Sequence, residues 1–400
     1  MQNKKHEACA LIKFPRVLIL LPLITFATFL ALLVAPALPQ IARDFGISET
    51  RAQWMILIFM IGYSFGQLPY GPIANRFGRK KAITIGVLIA LAGTVLAYFA
   101  NSFWLLCVAR FIQAVGSAVG LKISFTMVGD VHCRHTAIKS MCTVTMAFGV
   151  MPGIAAAIGG YITTEWNWQD CFLFHAVYIL GLWGLTLILP ETAHKLQEDA
   201  LDLKKVIKGF IHEFKEPSVV RNAFFTGLST SILYMFATIS PYIAIDRIGL
   251  SPYEFGLWAA VPYLGIFSGS FVSSYLSDLN SSRFNMLFGV LIVVLGSAVL
   301  STYFALNQIT VWSLFIPMFF VYLGCNLIWT NAASNGLEQA QDKSNASAVI
   351  QFINVSTATV GVFLIEIVPP STLMLLPFTL GFLSFLMIAT WLRLTRNRKH

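Results

Sequence analysis

"GPIANRFGRKK", residues Gly71 to Lys81, begins as an apolar turn and ends with four positive charges, Arg76, Arg79, Lys80 and Lys81. About two dozen almost uncharged residues precede it, and another apolar run follows. Lys and Arg in a short loop between membrane spans stay on the cytoplasmic side. A tight basic hairpin between two greasy segments therefore reads as the inner turn of a helical membrane protein. Its fifth residue, Asn75, needs an explanation of its own.

The rest of the chain fits that frame. Of 400 residues, 57% are hydrophobic and 11% charged, with 33 Phe, more apolar surface than a soluble core can bury. A bilayer-spanning helix takes roughly 20 mostly apolar residues. Twelve such runs are present, near 17–39, 52–74, 82–100, 103–128, 140–162, 170–190, 221–245, 253–276, 284–305, 311–335, 345–367 and 372–392. They lack the ten-residue alternation of a transmembrane barrel, so the expected class is an all-α membrane protein with twelve transmembrane helices. The first run is read as a span rather than as a removable signal peptide.

With both termini inside, 22 of the 27 Lys and Arg fall in cytoplasmic segments, three outside (Arg43, Arg51, Arg247) and two within spans (Arg110, Lys122). The net charge of +9 is thus chiefly a topology signal, and no nucleic-acid partner is expected. Six scattered cysteines imply no disulfide framework. "HCRH", His132 to His135, lacks a second ligand pair at zinc-site spacing, so no metal is expected. There is no phosphate-binding Gly-Lys-Ser/Thr loop, and no cofactor or enzymatic activity is expected.

The chain divides into a cytoplasmic N-terminus (1–16), a six-helix half (17–190), a polar linker (191–220), a second six-helix half (221–392) and a cytoplasmic C-terminus (393–400). In the linker Leu201, Val206, Phe210 and Phe214 recur at near-helical spacing among lysines, which predicts a helix on the cytoplasmic membrane surface. The halves read as a duplication. "APALPQIARDFGISETRAQW" and "SPYIAIDRIGLSPYEFGLW" match in order at Pro36 and Pro241, Gly46 and Gly249, Ser48 and Ser251, Trp54 and Trp258. Two pseudo-symmetric halves joined by a polar linker form the plan of a secondary transporter, with substrate handled near the midplane between them.

Particular motifs sharpen this. "GPIANRFGRKK" resembles the loop signature Gly-x-x-x-Asp-Arg-x-Gly-Arg-Lys of the major facilitator superfamily, and "RFIQAVGSAVG", with Arg110, Gln113 and Gly116, resembles its fourth-span motif. "PET" at Pro190 to Thr192, the linker and "SPYIAIDRIGLSPYEFGL" resemble the bicyclomycin-resistance type of twelve-span drug–proton antiporters. The resemblance runs the whole length. It implies the major facilitator fold and a latch built from Gly71, Asn75, Arg76, Gly78, Arg79 and Asp130. In it Gly71 lets spans two and three approach, Arg79 pairs with Asp130, and the cluster holds the outward-open state. The family's Asp is Asn75 here, which predicts a weaker latch unless the change is tolerated drift. Pro36, Pro152, Gly153, Gly159 and Gly160 are expected to serve helix packing. Ala155 and Ala156 stand where the antiporter motif expects other residues, and the family's span-one carboxylate falls at about Leu32.

An ionisable group at membrane depth is a functional candidate. Arg110 shares a helix face with Gln113, Ser117 and Ser124; the face either lines the central cavity or braces neighbouring helices. Lys122 either snorkels to the interface or reaches the cavity. Tyr234, Tyr263, Asn331, Asn335, Gln351 and Asn354 are candidate lining groups, with interhelical hydrogen bonding as the alternative. Proton-coupling candidates are Asp130, His175 and Glu366.

The leading expectation is a monomeric secondary transporter in the bacterial inner membrane, moving small organic molecules by alternating access and exporting them with proton coupling, as multidrug-efflux antiporters do. One rival is an importer of an organic anion, such as a polycarboxylate or siderophore, motivated by Leu32, Asn75, Arg110 and Lys122. A second is a non-transporting sensor or scaffold.

Overall fold

The computed structural model describes residues 17–131, 134–193, 196–197, 200–338, 343–365, 368–369 and 372–396. In hydrocarbon every backbone N–H and C=O must be paired within its own segment, and the chain answers with helices throughout. Among the described residues eleven helices are long and apolar enough to cross a membrane, and a bent pair supplies another crossing. The first six crossings are Phe26–Asp44, the pair Glu49–Gly66 and Tyr70–Phe77, Arg79–Tyr98, Phe103–Ser124, Ala147–Glu165 and Asp170–Ile188. The second six are Pro217–Arg247, Pro252–Ser277, Ser282–Ala305, Val311–Glu338, Asn345–Ile365 and Leu375–Arg393.

Prolines shape the first two spans. Span one is interrupted by the short turn Ala35–Ala37 around Pro36 before Leu38–Asp44 resumes. Span two, expected as one run, breaks between Gly66 and Tyr70 and bends by 43°. Pro69 lies in the gap; its missing N–H and its ring remove the hydrogen bond that would carry the helix through.

The two halves carry the same local signatures at the turns that follow their first spans. Gly46 (φ 60°) and Gly249 (φ 84°) both adopt left-handed backbone, which glycine enters without the Cβ penalty. Two residues on, Ser48 accepts from Arg51 N and Ser251 from Glu254 N, each capping the next helix. Both pairs are related by an offset of 203 residues.

Across the halves, span five packs along span eight. Gly149 backs onto Phe267, Gly153 onto Ala260 and Gly160 onto Pro252, at approaches where an added Cβ would clash. Gly159 turns the other way and meets Leu33 O of span one. The adjacent glycines thus serve one neighbour each. Span two meets span eleven at Phe65 and Phe352, whose ring centroids are 6.3 Å apart.

The linker helix is Leu203–Phe214, capped by Asp202, which accepts from Lys204 N at 2.9 Å. Phe210 packs on a small cluster of Val219, Ala223, Ala346, Val349 and Ile350, and Phe214 meets Phe352 edge-on. The helix therefore docks on spans seven and eleven, a fuller role than a surface strip. Leu201 precedes it, and Ile207 and Ile211 keep their side chains exposed.

Candidate functional site

A cavity of about 130 Å³ lies between the halves. Spans one, two, four and five supply Thr28, Leu32, Tyr63, Leu121, Phe148 and Pro152. Spans seven, eight, ten and eleven supply the more polar wall, including Tyr234, Tyr263, Asn326, Trp329, Gln351 and Asn354. Among the described lining residues there is no Asp, Glu, Lys, Arg or His. Such a chamber favours an uncharged or weakly amphipathic guest, because a charge moved from water would find no counter-charge.

Of the expected lining groups, Tyr234, Tyr263, Gln351 and Asn354 are here, together with Leu32. Asn331 and Asn335 are not. Asn331 Nδ2 donates to Ser273 Oγ (3.1 Å) and Leu327 O (2.9 Å), bonding spans eight and ten, while Asn335 Nδ2 faces Met286 Sδ of span nine at 3.6 Å. An amide in a span can satisfy itself against a neighbouring helix, and periodicity alone does not say which neighbour. Tyr63, Asn326 and Trp329 went unnoticed in the sequence. Their only signal was polarity or ring size in an otherwise aliphatic span.

Arg110 and Gln113 lie behind the cavity wall. Arg110 is fully buried; Nη1 donates to Leu30 O (3.1 Å) and Gln113 Oε1 (2.6 Å), Nε donates to Met55 O (3.4 Å), and the guanidinium sits 4.3 Å from the Phe59 ring centroid. These contacts tie spans one, two and four together, with a cation–π term added. Gln113 Nε2 donates to Thr94 Oγ1 (2.6 Å) and faces His175 Nδ1 at 3.4 Å. His175 is thus buried inside the first half, between Phe29 and Phe172.

Lys122 neither reaches the cavity nor snorkels freely. Its Nζ donates to Gln67 O at 2.9 Å, a carbonyl at the break in span two that a continuous helix would have paired. Gly71 belongs to this arrangement: a Cβ there would lie 2.9 Å from Lys122 Nζ. The glycine therefore makes room for a span-four lysine, which corrects the expectation that it serves the approach of spans two and three.

The basic hairpin forms a compact network. Arg79 Nε pairs with Asp130 Oδ2 at 3.1 Å, and its Nη1 donates to Asn75 Oδ1 at 2.7 Å. Thr192 Oγ1 also donates to Asp130 Oδ2 (3.1 Å), and Gln197 N donates to Asn75 O (3.0 Å). Glu191, just past span six, accepts from Arg79 N (2.9 Å) and Lys80 N (3.1 Å) at the start of span three. It places an anion on a helix N-terminus. Partial burial raises the Glu191 pKa, and the N–H groups of Ala193, Arg79, Lys80 and Thr192 more than reverse that, holding it below the ordinary 4.5. Gly78 permits the contact twice over: its φ is 99°, and a Cβ would overlap the Glu191 carboxylate. Arg76 flanks the network, and Glu366 lies outside the described residues.

At the opposite end the halves are joined directly. Arg43 Nη1 pairs with Asp246 Oδ1 (3.4 Å), Gln53 Nε2 donates to Thr238 O (3.5 Å), Tyr242 Oη to Glu49 O (3.4 Å) and Tyr253 N to Thr164 Oγ1 (2.9 Å). This end of the bundle is closed. A two-lobed bundle with a midplane chamber, sealed at one end by contacts between lobes, is suited to passing a small molecule across a membrane.

Known proteins share this plan. The chain is 26% identical over 371 residues to a bicyclomycin resistance protein homolog of Haemophilus influenzae, covering 91% of this chain and 92% of that one. It is 32% identical over 158 residues to multidrug resistance protein D of Escherichia coli, covering 39% and 40%. The fold is similar to that of a D-xylose–proton symporter, with a TM-score of 0.75 at 12% identity over 93% of this chain and 96% of that one. Residues 20–365 match the Major Facilitator Superfamily. With its membrane-spanning helices, two lobes and shared chamber, the chain belongs to that superfamily and is a multi-pass membrane transporter of small molecules rather than an enzyme.

Proposed function

We propose that the protein exports small, uncharged or weakly amphipathic organic compounds from the bacterial cytoplasm, coupled to the proton gradient, as a monomer in the inner membrane. The observation that carries this is the uncharged chamber walled by aromatic and amide side chains from both halves. The resistance proteins among its relatives support drug-like cargo. The distribution of Lys and Arg supports a cytoplasmic hairpin, linker and termini. The end closed by Arg43 and Asp246 then faces the periplasm, and the described conformation is outward-closed.

Transport follows from rocking of the halves about the chamber. Opening the outer end breaks the four contacts between lobes there. In the outward-closed state the hairpin network is formed, with the described partners of Arg79 and Asn75 coming from the first half and the segment after it. Asn75 in place of an acid gives Arg79 a neutral partner rather than a charged one. Of the coupling candidates, Asp130 works in the hairpin and His175 in the buried network with Gln113 and Arg110. With Arg110 and Lys122 held away from the chamber, an organic anion would meet no counter-charge in it.

The test is purified protein in liposomes with a trapped pH dye, challenged with matched neutral, cationic and anionic aromatic compounds. Proton movement driven by the neutral compounds is expected. Saturable entry of polycarboxylates alone would overturn the proposal.

A further inference from the structure

The polar wall of the chamber contains one arrangement that no helix-packing need accounts for. Gln351 and Asn354 lie one turn apart in span eleven, and Asn354 Nδ2 donates to Gln351 Oε1 at 3.2 Å. Asn354 is 4% exposed, and its Oδ1 is buried with no hydrogen-bond partner. Gln351 Nε2 likewise bonds to none of the described residues, and both side chains border the chamber. An amide carries two donors and an acceptor with two lone pairs, so the pair presents one free donor beside one free acceptor. Turning both amides over exchanges the roles and leaves the same edge.

A buried acceptor without a partner is costly, and a guest that satisfies it recovers that cost on binding. On the facing wall Leu32, Leu121, Phe148 and Pro152 are apolar, and the hydroxyls of Thr28 and Tyr63 are its polar groups. We propose that the Gln351–Asn354 pair is the specificity-determining element of the chamber, reading a donor–acceptor edge on an uncharged substrate. The chemical class is a lactam, primary amide or imide on an aromatic or apolar body. In these groups the N–H or N–H₂ and the C=O lie side by side and match the paired amides, as they do in an amide dimer. The inference rests on the chamber being the substrate site.

The experiment measures binding of three bicyclic probes of similar size to the full-length protein in lipid nanodiscs, followed by quenching of tryptophan fluorescence: 2-quinolone, N-methyl-2-quinolone and N-methylquinolinium. Methylation replaces the donor N–H by N–CH₃ and keeps the carbonyl, and the third probe has a fixed charge and no carbonyl. The wild-type protein is expected to bind 2-quinolone about ten-fold more tightly than its N-methyl form, the scale of one hydrogen bond to a buried polar group. Asn354→Leu should remove that preference by weakening 2-quinolone binding about ten-fold, and Gln351→Leu, which removes the donor to the carbonyl, should weaken both quinolones. A thermal transition like that of the wild type certifies that each variant is folded. Equal wild-type affinity for the two quinolones, or a preference that survives Asn354→Leu, overturns the role of the pair and leaves the chamber as the substrate site. Binding of N-methylquinolinium alone would overturn both the pair's role and the neutral-cargo proposal beneath it.

Discussion

Replacing Asp246 by Arg should open the outer end of the molecule, by an amount the structure bounds. The Arg43–Asp246 contact is 3.4 Å long, and its side chains are 62% and 33% exposed. An ion pair so open to water contributes up to about 1 kcal/mol. The like charges in Asp246→Arg add a repulsion of about 1 kcal/mol at 4 Å in water. The combined effect, about 2 kcal/mol, corresponds to a roughly 30-fold shift from outward-closed toward outward-open. Spin labels at Asn101 and Gln308, exposed in the turns that follow spans three and nine, report the change as a longer inter-label distance. The double variant Arg43→Asp, Asp246→Arg should restore the wild-type distribution. Because the charges are exposed, the single-variant effect should shrink as salt rises. If the single variant leaves the distances unmoved at low salt, or the double variant fails to restore them, the pair is not part of the gate.

Other expectations follow from the same contacts. Gly160→Val should wedge spans five and eight apart at Pro252 and shift the same distance distribution outward. Asn75→Asp would give Arg79 a charge-assisted partner in a contact that the described conformation already makes and should raise the thermal transition; an unchanged transition would mean that the asparagine is neutral. Lys122→Met leaves Gln67 O without its donor and should lower stability by about 1–3 kcal/mol, read as an earlier thermal transition. Glu191→Gln should cost about 1 kcal/mol at neutral pH. Because the carboxylate is held below 4.5, its contribution is full above that pH and is lost as pH falls through the lowered value. Wild type and Glu191→Gln should therefore converge in melting temperature on acidification, and a constant gap would refute the assignment.

The crossings are legible in the sequence because hydrocarbon tolerates only long apolar helices, and every expected run overlaps a described span, with the largest offset at the start of span one, expected at 17 and found at Phe26. The Arg79 and Asp130 pairing is implied by the family resemblance, which sets the Arg79 of the loop motif against the acid beyond span four. Bundle interiors are harder. Arg110 and Asn331 are polar groups in apolar helices, and each could face the chamber or a neighbouring helix; the choice depends on helix rotation, which spacing does not encode. Lys122 was opaque for another reason. Its partner is a backbone carbonyl at the break in span two, and a main-chain acceptor has no side-chain signature. Glu191 could be singled out only as part of a motif, since its work depends on two N–H groups more than a hundred residues away.

The Arg43–Asp246 pair has one more consequence. Arg43 and Asp246 are separated by the same 203 residues that relate Gly46 to Gly249, so they occupy equivalent places in the two repeats with opposite charge. Two copies of the first repeat would set arginine against arginine at that spot, and two copies of the second would set aspartate against aspartate. Each repeat is thus suited to the other and poorly suited to itself. If the halves were made as separate chains, this contact should bias them toward mixed pairs, and an ancestor that worked as a dimer of one repeat would have met a like-charge repulsion of about 1 kcal/mol with either residue there.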